Sequence, residues 1–480
     1  MDRRDFLKTS FTAASGLALA AEAAGPGPKL SIKASGTGTA LLRQVRLVDP
    51  ETGRSDQRET DIKIEKGIIA EIAPAGLIPA TGREIIEGRG RFALAGLIDC
   101  HVHSCGFFMT EMPGGSDFGW MLRQIGLNYR ASLLSGVTTF RDMTAPLRLI
   151  LMMRNRTRDP RSGFPKLVCC GPMLTVAHGY PPHVPPDKPW MRALLGPLRV
   201  ELKEAGDANK WVDRLAEAQV DWIKVGYSSM KYDTARTPLA TPSPELFRAI
   251  VDRAHHHHLP VAVHHTWLTD LQKLADLPFD TLEHLTGDKD IDPETLDKIA
   301  KRKLPVTTNL EVFDMLDHPE KTMAKIEAGT APLMPKAQKC VIQLLDDIKA
   351  GKDLYVLKPP ILLFGLKSLL GTAAQEEKNL KLLADRGVLI GASTDAGLPL
   401  LFGSLPDEMC HMAQAGLSPA AVLRAATSDA ALLLRLDQVG KIQKGFSADL
   451  VLYGRDPLAD IEAVKKPALV IRDGVPITAS

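Results

Sequence analysis

The sequence predicts an α/β fold, a (β/α)8 TIM barrel with a small β-sandwich domain built from both chain ends. Three observations carry this expectation. Short apolar runs recur through the middle of the 480-residue chain at intervals that leave room for helices: AGLIDCHVH, VTTFRDM, KLVCCGP, DWIKVGY, LPVAVHH, FDTLEHL, LPVTTNL and GVLIGASTDAG. Eight strands alternating with helical patterns point to a barrel. Most of these runs also end in His, Lys or Asp, and barrel enzymes carry their reactive groups at the C-terminal ends of the strands. Finally, residues 41–76 and the last forty residues alternate apolar and polar positions around turn clusters, the pattern of short half-buried strands. The expected organisation is therefore a sandwich from 27–95 and 439–480 around a barrel over 96–438.

Residues 1–26 read as an address rather than as structure. RRDFLK is followed by the small-residue apolar run FTAASGLALAAEAA, with A-x-A sites for cleavage. This resembles a twin-arginine export signal, so a soluble, exported or periplasmic protein is expected. Elsewhere no uninterrupted apolar run reaches the roughly 20 residues of a membrane span, and the mature chain is expected to have no integral membrane segment. With 59 basic against 57 acidic residues, the formal charge of +2 gives no electrostatic basis for binding nucleic acid. A small molecule is the expected partner, and a homo-oligomer the expected assembly. The six cysteines are placed beside a histidine motif, at a strand end and in helical stretches, which argues against a disulfide framework.

Chemistry concentrates at the strand ends. In HVH, alternation of strand side chains turns His101 and His103 to one side and Val102 to the other. Two neutral imidazoles on one face suit a divalent ion such as zinc. In DWIKVG, Lys224 opposes Ile223 and Val225. A buried lysine shifts toward its neutral amine, which can react with carbon dioxide to give a carbamate, an anionic ligand able to bridge two metals. A lysine snorkelling at the barrel rim is the alternative. TLEHLTG presents His284, and GASTDAG presents Asp395, a carboxylate able to ligate a metal and take a proton from water. Singly these could be a satisfied core histidine and a helix cap. Arg141 and Asp142, ending the second strand, read as a structural ion pair. In HHHHLPVAVHH, the run His255–His258 falls at a helix end on the opposite side of the barrel, and only one of His264 and His265 can face the lumen.

These motifs together resemble the amidohydrolase superfamily, in the branch that groups imidazolonepropionase-like proteins with Xaa-Pro dipeptidases. GLIDCHVH, SGVTTFRDM, DWIKVG, VAVHH, TLEHL, STDAG and the tail AATSDAALLLRLDQVGKIQKGFSADLVLYGRDPL carry the likeness over nearly all of the chain after residue 26. The resemblance implies that His101, His103 and Asp395 hold one divalent metal, zinc by expectation. It implies that His264 and His284 hold a second, with N6-carboxylated Lys224 and a hydroxide between the two ions. The hydroxide would attack a carbonyl, and Asp395 would carry its proton to the leaving amine. Some relatives hold one metal. The implied activity is hydrolysis of an amide or peptide bond in a dipeptide or N-acyl amino acid, with a cyclic amide, as in imidazolonepropionase, as the alternative. A non-catalytic metal-binding scaffold is the reading from another class. His178 and His183 in GPMLTVAHGYPPH, and Tyr227 beyond Lys224, are the expected substrate contacts, although packing is an equal role for Tyr227. The apolar first loop SCGFFMTEMPGGSDFGW and the 311–378 insertion read as a lid over a bulky apolar or aromatic group, such as that of an ochratoxin-like amide, or else as a subunit interface.

Overall fold

The computed structural model describes residues 30, 32–34, 36–105, 118–181, 189–229, 238–350, 354–357, 362–365, 372–397 and 400–479. The expected export signal, His183 and most of the apolar first loop lie outside the described residues.

Eight short strands form the barrel: β1 (Leu97–Val102), β2 (Val137–Asp142), β3 (Lys166–Cys169), β4 (Ile223–Gly226), β5 (Val261–His264), β6 (Thr281–Glu283), β7 (Val306–Thr307) and β8 (Ile390–Gly391). Parallel ladders join β1 to β3 in one arc and β4 to β8 in another. Two seams complete the ring. Between β8 and β1, Val102 bridges Ala396 in parallel and the Cys100 N–H donates to the Ala392 carbonyl at 3.0 Å. Between β3 and β4, the Asp221 N–H donates to the Cys169 carbonyl and the Asp221 carboxylate accepts from the Cys169 N–H, both at 2.9 Å. Gly391 permits the first closure, because a Cβ there would lie 2.8 Å from Cys100 Sγ.

Helices pack on the outer face and are started by residues suited to the task. Ser243, Asp292 and Thr372 accept from backbone N–H groups of Leu246, Thr295 and Gln375 at the starts of helices Pro244–His256, Pro293–Arg302 and Ala373–Asp385. Each such cap is worth about 1 kcal/mol. Outward strand residues such as Ile223, Val225, Val261 and Val263 join Phe247, Ile250 and Val251 in one large apolar core. Each fully buried side chain of this kind contributes roughly 1.5–3 kcal/mol. The inward residues alternate with them, and Val168, Cys170, Trp222 and Ala262 form a compact floor inside the barrel. Between β7 and β8, the described residues form helices Leu310–Asp317, Pro319–Glu327 and Pro335–Lys349, an antiparallel strand pair, Leu354–Leu357 with Leu362–Gly365, and then helix Ala373–Asp385.

The second unit joins strands from both ends of the chain. Phe92–Ala95 runs antiparallel to Leu450–Tyr453, which continues into Pro467–Arg472 and Val475–Ala479. Strand Ala40–Asp49 is bent by a bulge after Leu42, where Gln44 takes φ 56° and its N–H is held by the Asp61 carboxylate at 2.9 Å. The bend lets one half of the strand pair with Thr60–Glu65 and the other with Phe92–Ala95. Ala40, Leu42, Ile62, Ile64, Leu450, Leu452 and Ile471 fill the space between the layers. All six cysteines are free thiols.

Candidate metal centre

The ladder registers decide which side chains enter the lumen. Gly226 of β4 lies opposite His264 of β5, and His264 opposite Glu283 of β6. Residues in register share a face, so Lys224, His264 and Glu283 all point inward. His265 turns the other way, its Nε2 3.2 Å from Thr286 Oγ1. By the same rule His284 should face outward. It does not, because its backbone takes φ 76°, the left-handed region, and the strand ends there. Both Glu283 and His284 therefore reach His101. Asp395 also sits at φ 53°. Two such conformations cost on the order of 1–3 kcal/mol each, and strain of this kind concentrates at functional sites.

The result is a compact group of donors. Asp395 Oδ1 lies 3.0 Å from His103 Nε2 and 3.4 Å from His101 Nε2, and one ligand atom from each of the three residues falls within 4.8 Å of the others. The His284 ring is 4.6 Å from that of His101 and 4.7 Å from that of His264, centroid to centroid. Burial pushes the His101, His264 and His284 imidazoles well below their ordinary range, so they stay neutral, the form that ligates metal. Burial also lowers the Lys224 ammonium to about 8, putting the neutral amine within reach at neutral pH. For Asp395 burial acts upward, but His284, the His103 hydrogen bond and Lys224 outweigh it and hold the carboxyl below its usual range.

The residues fit a divalent metal. His101 Nε2, both ring nitrogens of His264, His284 Nδ1 and Lys224 Nζ are buried without a hydrogen-bond partner among the described residues. Leaving such atoms unsatisfied costs about 1–3 kcal/mol apiece, and a cation at their focus would satisfy the lone pairs. The 3.0 and 3.4 Å spacings also match the edge of about 3.3 Å expected for tetrahedral ligands at zinc–nitrogen distances.

Several residues not singled out in the sequence hold this group in place. Glu283, fully buried, accepts from Arg141 Nη2 at 2.7 Å and from His101 Nδ1 at 2.8 Å. The expected Arg141–Asp142 pair is thereby corrected. Arg141 crosses the lumen to Glu283, and Asp142 accepts instead from the Ser104 N–H and hydroxyl and the Thr144 N–H. Asp99 accepts from the His101 and Thr394 N–H groups and the Thr394 hydroxyl, tying the ligand-bearing ends of β1 and β8 together. Tyr180 stacks on His264 with ring centroids 3.6 Å apart. Gly226 makes room for it, since a Cβ there would meet the Tyr180 carbonyl at 2.8 Å.

The expected substrate contacts fare differently. His178 is exposed in the turn after strand Met173–Val176, at φ 58°. Tyr227 is core, its ring edge-on to Phe247 at 6.0 Å and its hydroxyl hydrogen-bonded to Thr241. Tyr180 rather than His178 is the residue of that turn that meets the histidine cluster. The signal for it was an aromatic two residues beyond His178.

Comparison with known proteins agrees with the fold. A crystal structure of an amidohydrolase aligns with TM-score 0.70 and 22% identity, covering 91% of this chain and 98% of that one. A crystal structure of a Xaa-Pro dipeptidase aligns at 0.69 and 18%, over 91% and 99%. A dihydroorotase of Trichlorobacter lovleyi is 32% identical over 96 residues, 20% of this chain. That match spans only 18% of the dihydroorotase. The model of the amidohydrolase family matches residues 92–477, from the last sandwich strand before the barrel to the last one after it. The chain belongs to the amidohydrolase family.

Proposed function

We propose that this protein is a metal-dependent hydrolase that cleaves an amide or peptide bond in a small substrate. One observation supports this most: His101, Lys224, His264 and His284, from β1, β4, β5 and the end of β6, bring buried nitrogen atoms with no hydrogen-bond partner among the described residues to the site of an ionised aspartate. His101, His103 and Asp395 would hold one divalent ion, and His264 and His284 a second, with Lys224 between. Zinc suits this donor set. When bound, such ions supply Lewis acidity and make water a nucleophile at neutral pH.

The chain's own groups do the rest. Asp395, kept ionised, takes the proton of the attacking water and returns it to the leaving nitrogen. Lys224, neutral above about pH 8, adds through its amine to carbon dioxide, forming an N–C bond and releasing a proton to give a carbamate anion. The stacked Tyr180 holds the His264 ring plane. The substrate class is a dipeptide or an N-acyl amino acid. Structural neighbours that are a Xaa-Pro dipeptidase and an Aspergillus niger ochratoxinase support this choice. The RRDFLK segment supports an exported location.

A second reading, hydrolysis of a cyclic amide, is favoured by the local match to dihydroorotase. The test is a panel of dipeptides, N-acyl amino acids and cyclic amides offered to the metal-loaded protein. Release of a free amino acid is expected. Turnover of dihydroorotate alone would favour the second reading, and turnover of neither would favour a metal-binding scaffold.

A further inference from the structure

We infer that Glu283, clamped by Arg141, is a positioning residue that fixes His101 as its Nδ1–H tautomer and so dedicates Nε2 to the metal centre. The inference rests on the reading of His101 as a metal ligand. Glu283 is completely buried, and four donors reach its two oxygens. Oε1 takes Arg141 Nη2 and Thr281 Oγ1, each at 2.7 Å, while Oε2 takes His101 Nδ1 at 2.8 Å and Thr307 Oγ1 at 3.0 Å. A carboxylate has about four acceptor positions and, when ionised, no proton to give. Its partner at Nδ1 must therefore be the donor, which leaves the lone pair on Nε2, the atom that lies 3.4 Å from Asp395 and has no hydrogen-bond partner among the described residues.

Arg141 makes the arrangement rigid. Its Nε donates to the Cys100 carbonyl, one residue before His101, at 2.8 Å. Its guanidinium lies over the Trp222 ring at 4.6 Å, a cation held on an aromatic floor. The guanidinium thus grips the backbone of β1 and the carboxylate of β6 together, and the His101 ring is suspended between them. A carboxylate–histidine pair behind a metal ligand typically changes metal affinity by about 10–100-fold when broken.

Glu283→Gln separates this role from simple space-filling. The amide oxygen must face Arg141, because two donors cannot face each other. The NH2 group then faces His101, whose Nδ1 must accept and whose proton moves to Nε2. The side chain keeps its volume while the tautomer reverses. The experiment is nitrogen-15 NMR on histidine-labelled, metal-free protein, with the His101 signal assigned by its loss in His101→Gln, alongside zinc affinity measured by chelator competition. Expected are an Nδ1–H tautomer in the wild type, an Nε2–H tautomer in Glu283→Gln, and zinc affinity lower by about 10–100-fold in the variant. Thr281→Val, which touches only the oxygen turned from His101, should leave the tautomer unchanged. An Nε2–H tautomer in the wild type overturns the inference without any variant, as does a Glu283→Gln protein with unaltered tautomer and affinity. A wild type with the Nδ1–H tautomer that binds no divalent metal would instead sink the metal-centre reading and leave the positioning intact.

Discussion

Two histidine-rich regions flank strand β5, and they differ in everything but composition. At its N-terminal side, His255 to His258 end helix Pro244–His256 and its turn. His255 is exposed and sits 2.8 Å from the Asp280 carboxylate. His257 sits 2.7 Å from Asp213, which Arg253 also grips. At the C-terminal side, His264 is buried, neutral, stacked on Tyr180, and has no hydrogen-bond partner at either ring nitrogen among the described residues. The first region is a surface on which two of the four imidazoles, His255 and His257, meet carboxylates at a helix C-terminus, where positive charge is favourable. The second is an unsatisfied interior. Metal-binding capacity follows from buried lone pairs with a common focus, not from the local density of histidine.

The sharpest way to break that contrast is to mutate each side separately. His264→Ala should lose part of the metal load and reduce kcat/KM by at least about 100-fold, the scale attached to breaking a metal's supporting group. Replacing His255, His256, His257 and His258 together with asparagine should leave metal content and activity nearly unchanged. Metal analysis and steady-state assays check both; equal losses would erase the distinction. Asp395→Asn should lower kcat by about 10²–10⁴-fold through loss of the proton carrier, with the fold intact by circular dichroism.

A smaller effect concerns Lys224. Burial lowers its ammonium to about 8, so the neutral amine, the form that takes up carbon dioxide, grows as pH rises toward and through that value. Metal-free protein given zinc and bicarbonate, with dissolved carbon dioxide held at the same concentration at each pH, should recover activity about 25-fold faster near pH 8.5 than near pH 6.5, as the neutral fraction of a group titrating at about 8 dictates. A rate independent of pH, or recovery without bicarbonate, would speak against the carbamate. The smallest expected effect is at the satisfied end. Asp280 also accepts from the Val261 N–H at 2.7 Å and pairs with Arg435. Asp280→Ala should cost about 1–3 kcal/mol of stability in thermal or denaturant unfolding and leave metal content unaffected.

The barrel was legible because its strands are short apolar runs ending in reactive residues; alternation turned His101, His103 and Lys224 inward and allowed only one of His264 and His265 to do so, and the family resemblance chose His264. The same rule could not find Glu283. In TLEHL, alternation allows one inward residue, and only the left-handed backbone at His284 turns both Glu283 and His284 into the site. Arg141 was misassigned for a related reason. Its sequence neighbour Asp142 is within easy reach on paper, while its true partner is 142 positions away across a closed lumen. Asp99 and Thr394 likewise meet only because β8 closes on β1. The expected substrate contacts lie on the connections beyond the strands, where no periodicity fixes direction; there Tyr180 stacks on His264 and His178 is exposed.

The most direct measurement is anomalous diffraction from crystals of the zinc-loaded protein, recorded at the zinc edge. Two peaks are expected at the barrel mouth, one among His101, His103 and Asp395 and the other beside His264 and His284 with Lys224 between them. Peaks only at His255 to His258, or none at the mouth, would contradict the account.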